Sequence, residues 1–223
     1  MKTKIQSNTA VVTWAGVLIG WILLGVAGSC EAAIVFPKAP AGGRQMAIAH
    51  ARDKHFRLIP ESSVTLAAPY MGYFSGGDEL IAGDFLSAAR PGRWRYVFSR
   101  DNKPIATVVL EVADKKTGQA LDYNSVEFPF ANEVLALQKA RELPQVQRSD
   151  YEVRFLQSVS PPFVGLWLHG ESDDLIMPLP PTVGRRFEAY RAYPASQITA
   201  VLKPEAERDR AWAKAHPGAY YDD

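Results

Sequence analysis

The chain has 223 residues, 47% of them hydrophobic, with 25 Lys and Arg against 24 Asp and Glu and a formal charge of +1. That balance provides no basic field for a nucleic-acid backbone and no acidic tail, so nucleic acid is not expected as a partner. A single cysteine leaves no mate for an intrachain disulfide and no thiol cluster for zinc or iron–sulfur ligation. The length and apolar fraction suit one domain with a hydrophobic core. In chain order, the first feature is an export pattern: Lys2 and Lys4, an uncharged run from Ala10 to Ala27, then the small residues Gly28 and Ser29 before Cys30.

The stretch Val26-Ala27-Gly28-Ser29-Cys30 resembles the lipobox that closes a bacterial lipoprotein signal peptide. The resemblance covers about the first thirty residues. It implies removal of residues 1–29, lipidation of Cys30 with palmitate-type acyl chains, and a membrane-anchored, periplasm-facing protein of the cell envelope. Each buried methylene contributes roughly 0.8 kcal/mol, so such an anchor needs no spanning helix. Two other outcomes stay open: cleavage without lipid, giving a soluble exported protein, or retention of the apolar run as a membrane helix. Residues 30–43, with Pro37, Pro40, Gly42 and Gly43 among small residues, read as a flexible tether. Residues 44–223 then form the folded body.

Arg44 to Arg57 contains neither Gly nor Pro and reads as a first helix. Ser63 to Phe74 reads as extended, and Asp78 as the cap of a short helix reaching Ala89. Trp94, Tyr96 and Phe98 alternate with Arg93, Arg95, Val97 and Ser99, the period of a strand with one apolar face, which turns the arginines toward water. Asp101-Asn102-Lys103-Pro104 turns the chain into a β-branched return strand from Ile105 to Ala113, making a hairpin. Leu121 to Phe130 adds a third strand. Ala131 to Leu143 is rich in helix formers, with Asn132 as its cap and Pro144 as its stop. Strands follow around Tyr151–Leu156, Phe163–Leu168 and Leu175–Leu179. The tail reads as two helices, Ser196–Leu202 and one opened by Pro204, the latter docked by Trp212. Strands in runs, with helices between the runs, indicate an α+β fold: an antiparallel β-meander sheet packed with several helices in a single domain.

Chemistry-bearing residues are sparse. Leu166-Trp167-Leu168-His169-Gly170-Glu171-Ser172-Asp173-Asp174 is similar to the strand end of an α/β-hydrolase, where an aspartate orients a catalytic histidine. That resemblance implies Asp173 or Asp174 as the acid and His216 as the base. The G-x-S-x-G elbow that would lift a serine nucleophile does not occur in the sequence. His50 and His55 are five apart, which sets them on different faces of a helix, so no metal site is expected. Neither is a cofactor site. The reading is a non-catalytic interaction or ligand-binding module of the envelope, with a membrane engaged through lipid on Cys30 and a protein, glycan or lipid partner. The alternative is a small envelope hydrolase using His169, Asp173 and His216.

Overall fold

The computed structural model describes residues 33–54, 64–101, 103–112, 121–127, 131–181 and 186–217. Cys30, His55 and the signal segment lie outside them. One mixed sheet dominates the fold. Its strands are β1 (Ile34–Val35), β2 (Thr65–Leu66), β3 (Tyr70–Phe74), β4 (Arg90–Arg100), β5 (Lys103–Val112), β6 (Leu121–Glu127), β7 (Tyr151–Ser158), β8 (Phe163–Gly170), β9 (Asp174–Pro178) and β10 (Tyr193–Pro194). The helices are α1 (Gly43–Lys54), α2 (Gly77–Ala82), α3 (Ala131–Arg141) and α4 (Ala195–Ala215).

The strand order is β10-β9-β8-β7-β3-β4-β5-β6. Strands β4, β5 and β6 pair antiparallel in sequence, as do β7, β8 and β9. The two runs are joined by β3, which is antiparallel to β4 and parallel to β7. Helices and a mixed sheet make the chain α+β. At one end of β3 its place is taken by two short strands, β1 beside the start of β7 and β2 beside the end of β4.

Helices cover both faces of this sheet. On β4, Trp94, Tyr96 and Phe98 pack with Ala47 and Ala51 of α1, while Val97 on the opposite face packs with Ala136 and Ala140 of α3. On β8, Trp167 joins Ile198, Leu202 and Ala206 of α4, while Leu166 and Leu168 turn to α3. Because α3 covers the second face, Arg95 does not point to water as expected from the alternation; it is 3% exposed. Its guanidinium holds both carboxylate oxygens of Glu133 in the first turn of α3, at 3.3 and 2.6 Å, and lies 4.2 Å from the Phe155 ring centroid. Complete burial pushes the Glu133 carboxyl up, to about 8. The guanidinium held against it works in the opposite direction.

Four further expectations change. Within the stretch expected to be a tether, residues 33–43 are part of the fold: Ala33 donates to Asp150 at 2.8 Å, Ile34 and Val35 pair with β7, and Phe36 packs on the core. Helix α2 is shorter than expected and follows Gly76, whose N–H is bonded by Glu79 at 3.1 Å, and it ends at Gly83 with φ 93°. Asp78 instead forms an ion pair with Arg210. The two tail helices are one, running through Pro204. Pro204 removes one helical hydrogen bond, but Ile198, Leu202 and Ala206 recur at four-residue steps on one buried face, so packing carries the helix across it. Those residues, not Trp212, dock α4; Trp212 is 48% exposed and stacks on His216 at 4.7 Å.

Candidate functional site

Cross-strand register assembles the polar residues. Glu152 on β7 lies opposite His169 on β8, which lies opposite Asp174 at the start of β9. Two residues along, and therefore on the same face, Arg154 lies opposite Trp167 and Trp167 opposite Ile176. Asp174 Oδ1 accepts from Trp167 Nε1 at 2.7 Å and from His169 Nδ1 at 2.8 Å. A carboxylate only accepts, so Nδ1 carries the hydrogen and the neutral ring keeps its lone pair on Nε2. The imidazole side chain is 40% exposed and meets the Trp167 ring edge-on at 5.4 Å. Beside it, the Arg154 guanidinium sits 4.8 Å from Tyr73 and 4.6 Å from Trp167, and its Nε is bonded to Glu152 at 2.6 Å. The result is a charged strip on an aromatic floor.

Of the residues named from the sequence, His169 and Asp174 meet, whereas Asp173 and His216 have other partners. Asp173 belongs to the β8–β9 turn and accepts from Tyr151 Oη at 2.6 Å, so the acid that holds His169 is Asp174. Tyr151 is pushed up to about 12, first by burial and then by the hydrogen bond to Asp173 and the charges of both aspartates. His216 turns back on its own helix, its Nδ1 2.9 Å from the Trp212 carbonyl oxygen. Among the described residues, the His169 ring is hydrogen-bonded to no serine, threonine or cysteine. His50 lies on α1, and no group of three or more His, Cys, Asp or Glu among the described residues is placed to hold a metal ion.

Sequence reading missed a second feature. Where β1 and β2 replace β3, a cavity of about 500 Å³ opens between the segment leading into α1 and the β2–β3 link. Phe36, Pro40, Leu66 and Pro69 give it apolar walls, Arg44 stands in its lining, and Tyr96 closes it from β4. Tyr96 is fully buried and its hydroxyl has no hydrogen-bond partner. Burial pushes its pKa up to about 12. None of His169, Asp173 or His216 lines this cavity. The proline- and glycine-rich composition that suggested a tether is what builds one wall of it.

The chain matches no protein-family model and no curated protein sequence. No helix among the described residues is long and apolar enough to cross a membrane.

Proposed function

We propose that this is an exported, lipid-anchored protein of the cell envelope that works as a non-catalytic ligand-binding or interaction module, its single folded domain held at the bilayer through Cys30. The observation that supports binding is the cavity beside α1, which has both apolar and polar surface in its lining and stands apart from every residue suggested for catalysis. Export and anchoring rest on the lipobox resemblance. Only Glu31 and Ala32 separate Cys30 from Ala33, whose backbone is bonded to Asp150, so a lipid on Cys30 gives the folded body little slack.

The test is intact mass of the protein from the membrane fraction of native cells, beside a Cys30→Ser variant. A chain beginning at Cys30 with added acyl mass, absent from the variant, is the expected result. An unlipidated chain in the soluble fraction, or one still beginning at Met1, refutes the anchor.

A second reading is favoured by one contact. His169 held by Asp174 through Nδ1, with Nε2 left as the basic nitrogen, is the arrangement of a general base in a hydrolase. A hydrolytic activity lost in Asp174→Ala or Asp173→Ala, with the fold retained, would establish an envelope hydrolase in place of the binding module.

A further inference from the structure

A histidine paired with an aspartate on a protein surface is ordinary; the surroundings of His169 and Asp174 are not. Asp174 Oδ1 accepts from the indole of the buried Trp167 as well as from His169 Nδ1, so the acid is anchored in the core while the imidazole it orients stays open to solvent. Arg154 is the diagonal cross-strand neighbour of His169. That placement sets their Cα atoms about 7–8 Å apart and lets both long side chains reach one small molecule. The Arg154 side chain is 16% exposed and lies over Tyr73 and Trp167, yet its hydrogen bond to Glu152 uses Nε alone. Arg95, by contrast, engages Glu133 through both Nε and Nη2. The Nη1 and Nη2 groups of Arg154 have no hydrogen-bond partner among the described residues, and donors so far withdrawn from water are costly unless an acceptor meets them. An oriented base therefore stands beside a guanidinium with open donors.

We propose that this strip hydrolyses small carboxylic esters, with water as the nucleophile, His169 as its general base and Arg154 as the group that holds the oxyanion. His169 Nε2 takes a proton from a water molecule as the water oxygen bonds to the ester carbonyl carbon, and the carbonyl π pair moves onto its oxygen against the Arg154 Nη groups. The pair then returns, the bond from the acyl carbon to the alcohol oxygen breaks with its electrons on that oxygen, and the oxygen takes the proton back from the imidazolium. The products are a carboxylic acid and an alcohol. Asp174 and, through it, Trp167 are positioning residues, and the Asp174 charge also stabilises the imidazolium. Glu152, Asp174 and the turn residues Glu171 and Asp173 surround the site with negative charge, so neutral and cationic esters are favoured over anionic ones. The proposal rests on the hydrolase reading and supplies its nucleophile, its oxyanion group and its substrate class.

The experiment follows hydrolysis of p-nitrophenyl acetate by the purified full chain, with free imidazole at the same concentration as the reference. Saturable turnover at least about a hundredfold above that reference is expected. His169→Gly should abolish it, and added imidazole, entering the space left beside Asp174, should restore part of it; a histidine with a merely structural role would show no such rescue. Asp174→Asn keeps an acceptor for both donors but loses the charge, so kcat should fall at least about tenfold with KM little changed. Arg154→Lys keeps the charge but not the paired Nη donors and should lower kcat by a similar factor. The anionic ester p-acetoxybenzoate should react at least about tenfold less efficiently than phenyl acetate. Turnover no faster than free imidazole refutes the hydrolase reading and the proposal together. Turnover that persists in His169→Gly or is unchanged in Arg154→Lys, in variants whose circular dichroism matches the parent, refutes these assignments and leaves a hydrolase with its site elsewhere. Equal turnover of the anionic ester refutes the substrate class.

Discussion

Glu133→Ala should be among the most damaging single substitutions in this protein. Glu133 and Arg95 have side chains 1% and 4% exposed, and the guanidinium holds both carboxylate oxygens while lying over Phe155. Removing the carboxylate leaves a cation that cannot shed its proton beneath α3, and breaking a buried pair in this way costs about 3–5 kcal/mol. Against a total stability of about 5–15 kcal/mol, that is a large fraction. Glu133→Gln keeps one acceptor and loses the charge, so it should cost less, about 2 kcal/mol. The double replacement Arg95→Met with Glu133→Leu removes both charges and fills the space, and it should recover most of the loss. Urea denaturation of the full chain, followed by far-UV circular dichroism, measures all of these in one thermodynamic cycle. Single variants within about 1 kcal/mol of the parent, or a double variant whose loss is the sum of the singles, would refute the argument that the pair acts as a unit.

Other consequences are equally open to measurement. Asp174→Ala leaves the Trp167 indole N–H buried without its acceptor and should cost about 1–3 kcal/mol with a shift in tryptophan emission, whereas Asp174→Asn keeps an acceptor and should cost less; equal losses would disprove the role of the hydrogen bond. Tyr96 and Tyr151 hold their protons to about pH 12, while the same groups in the unfolded chain ionise near 10. The folded state therefore binds more protons between those values and stability falls as pH rises from about 10 to 12, so their phenolate absorbance should appear only with alkaline unfolding, and early ionisation of both would contradict their burial. Gly77→Ala places a Cβ 2.6 Å from the Ser160 carbonyl oxygen, which should destabilise the protein by about 1–3 kcal/mol; an unchanged melting temperature would show that α2 does not lie against that loop.

Local chemistry was readable wherever one residue type decides a turn or an alternation decides a face. The Asp101-to-Pro104 turn between β4 and β5 was legible for that reason, as were the three strands from Tyr151 to Leu179 and the helix stopped before Pro144. Apart from the bounds and cap of α2, the errors involve long-range contacts. Arg95 reads as a solvent-facing residue until α3, thirty-eight positions later in the chain, supplies Glu133 and a cover. Pro204 reads as a helix start because the local rule cannot see the core that Leu202 and Ala206 share. At the polar strip, His169 and the two candidate acids were visible as chemistry, but the choice of Asp174 over Asp173 depended on strand register: residues 169 and 174 face each other only once the turn occupies 171–173. Nothing local marks the cavity, because it forms where two short strands from distant parts of the chain take the place of one.

The two margins of the sheet differ in a way that limits how the protein can associate. The β10 margin is two residues long and ends in Pro194, which has no N–H to offer a neighbour. The opposite margin, β6, runs for seven residues, and no described strand pairs with its outer side. A sheet that can be extended from one side only cannot propagate head to tail. Among the described residues β6 is the longer open edge, so strand pairing between copies is expected to give a closed two-fold dimer joined β6 to β6.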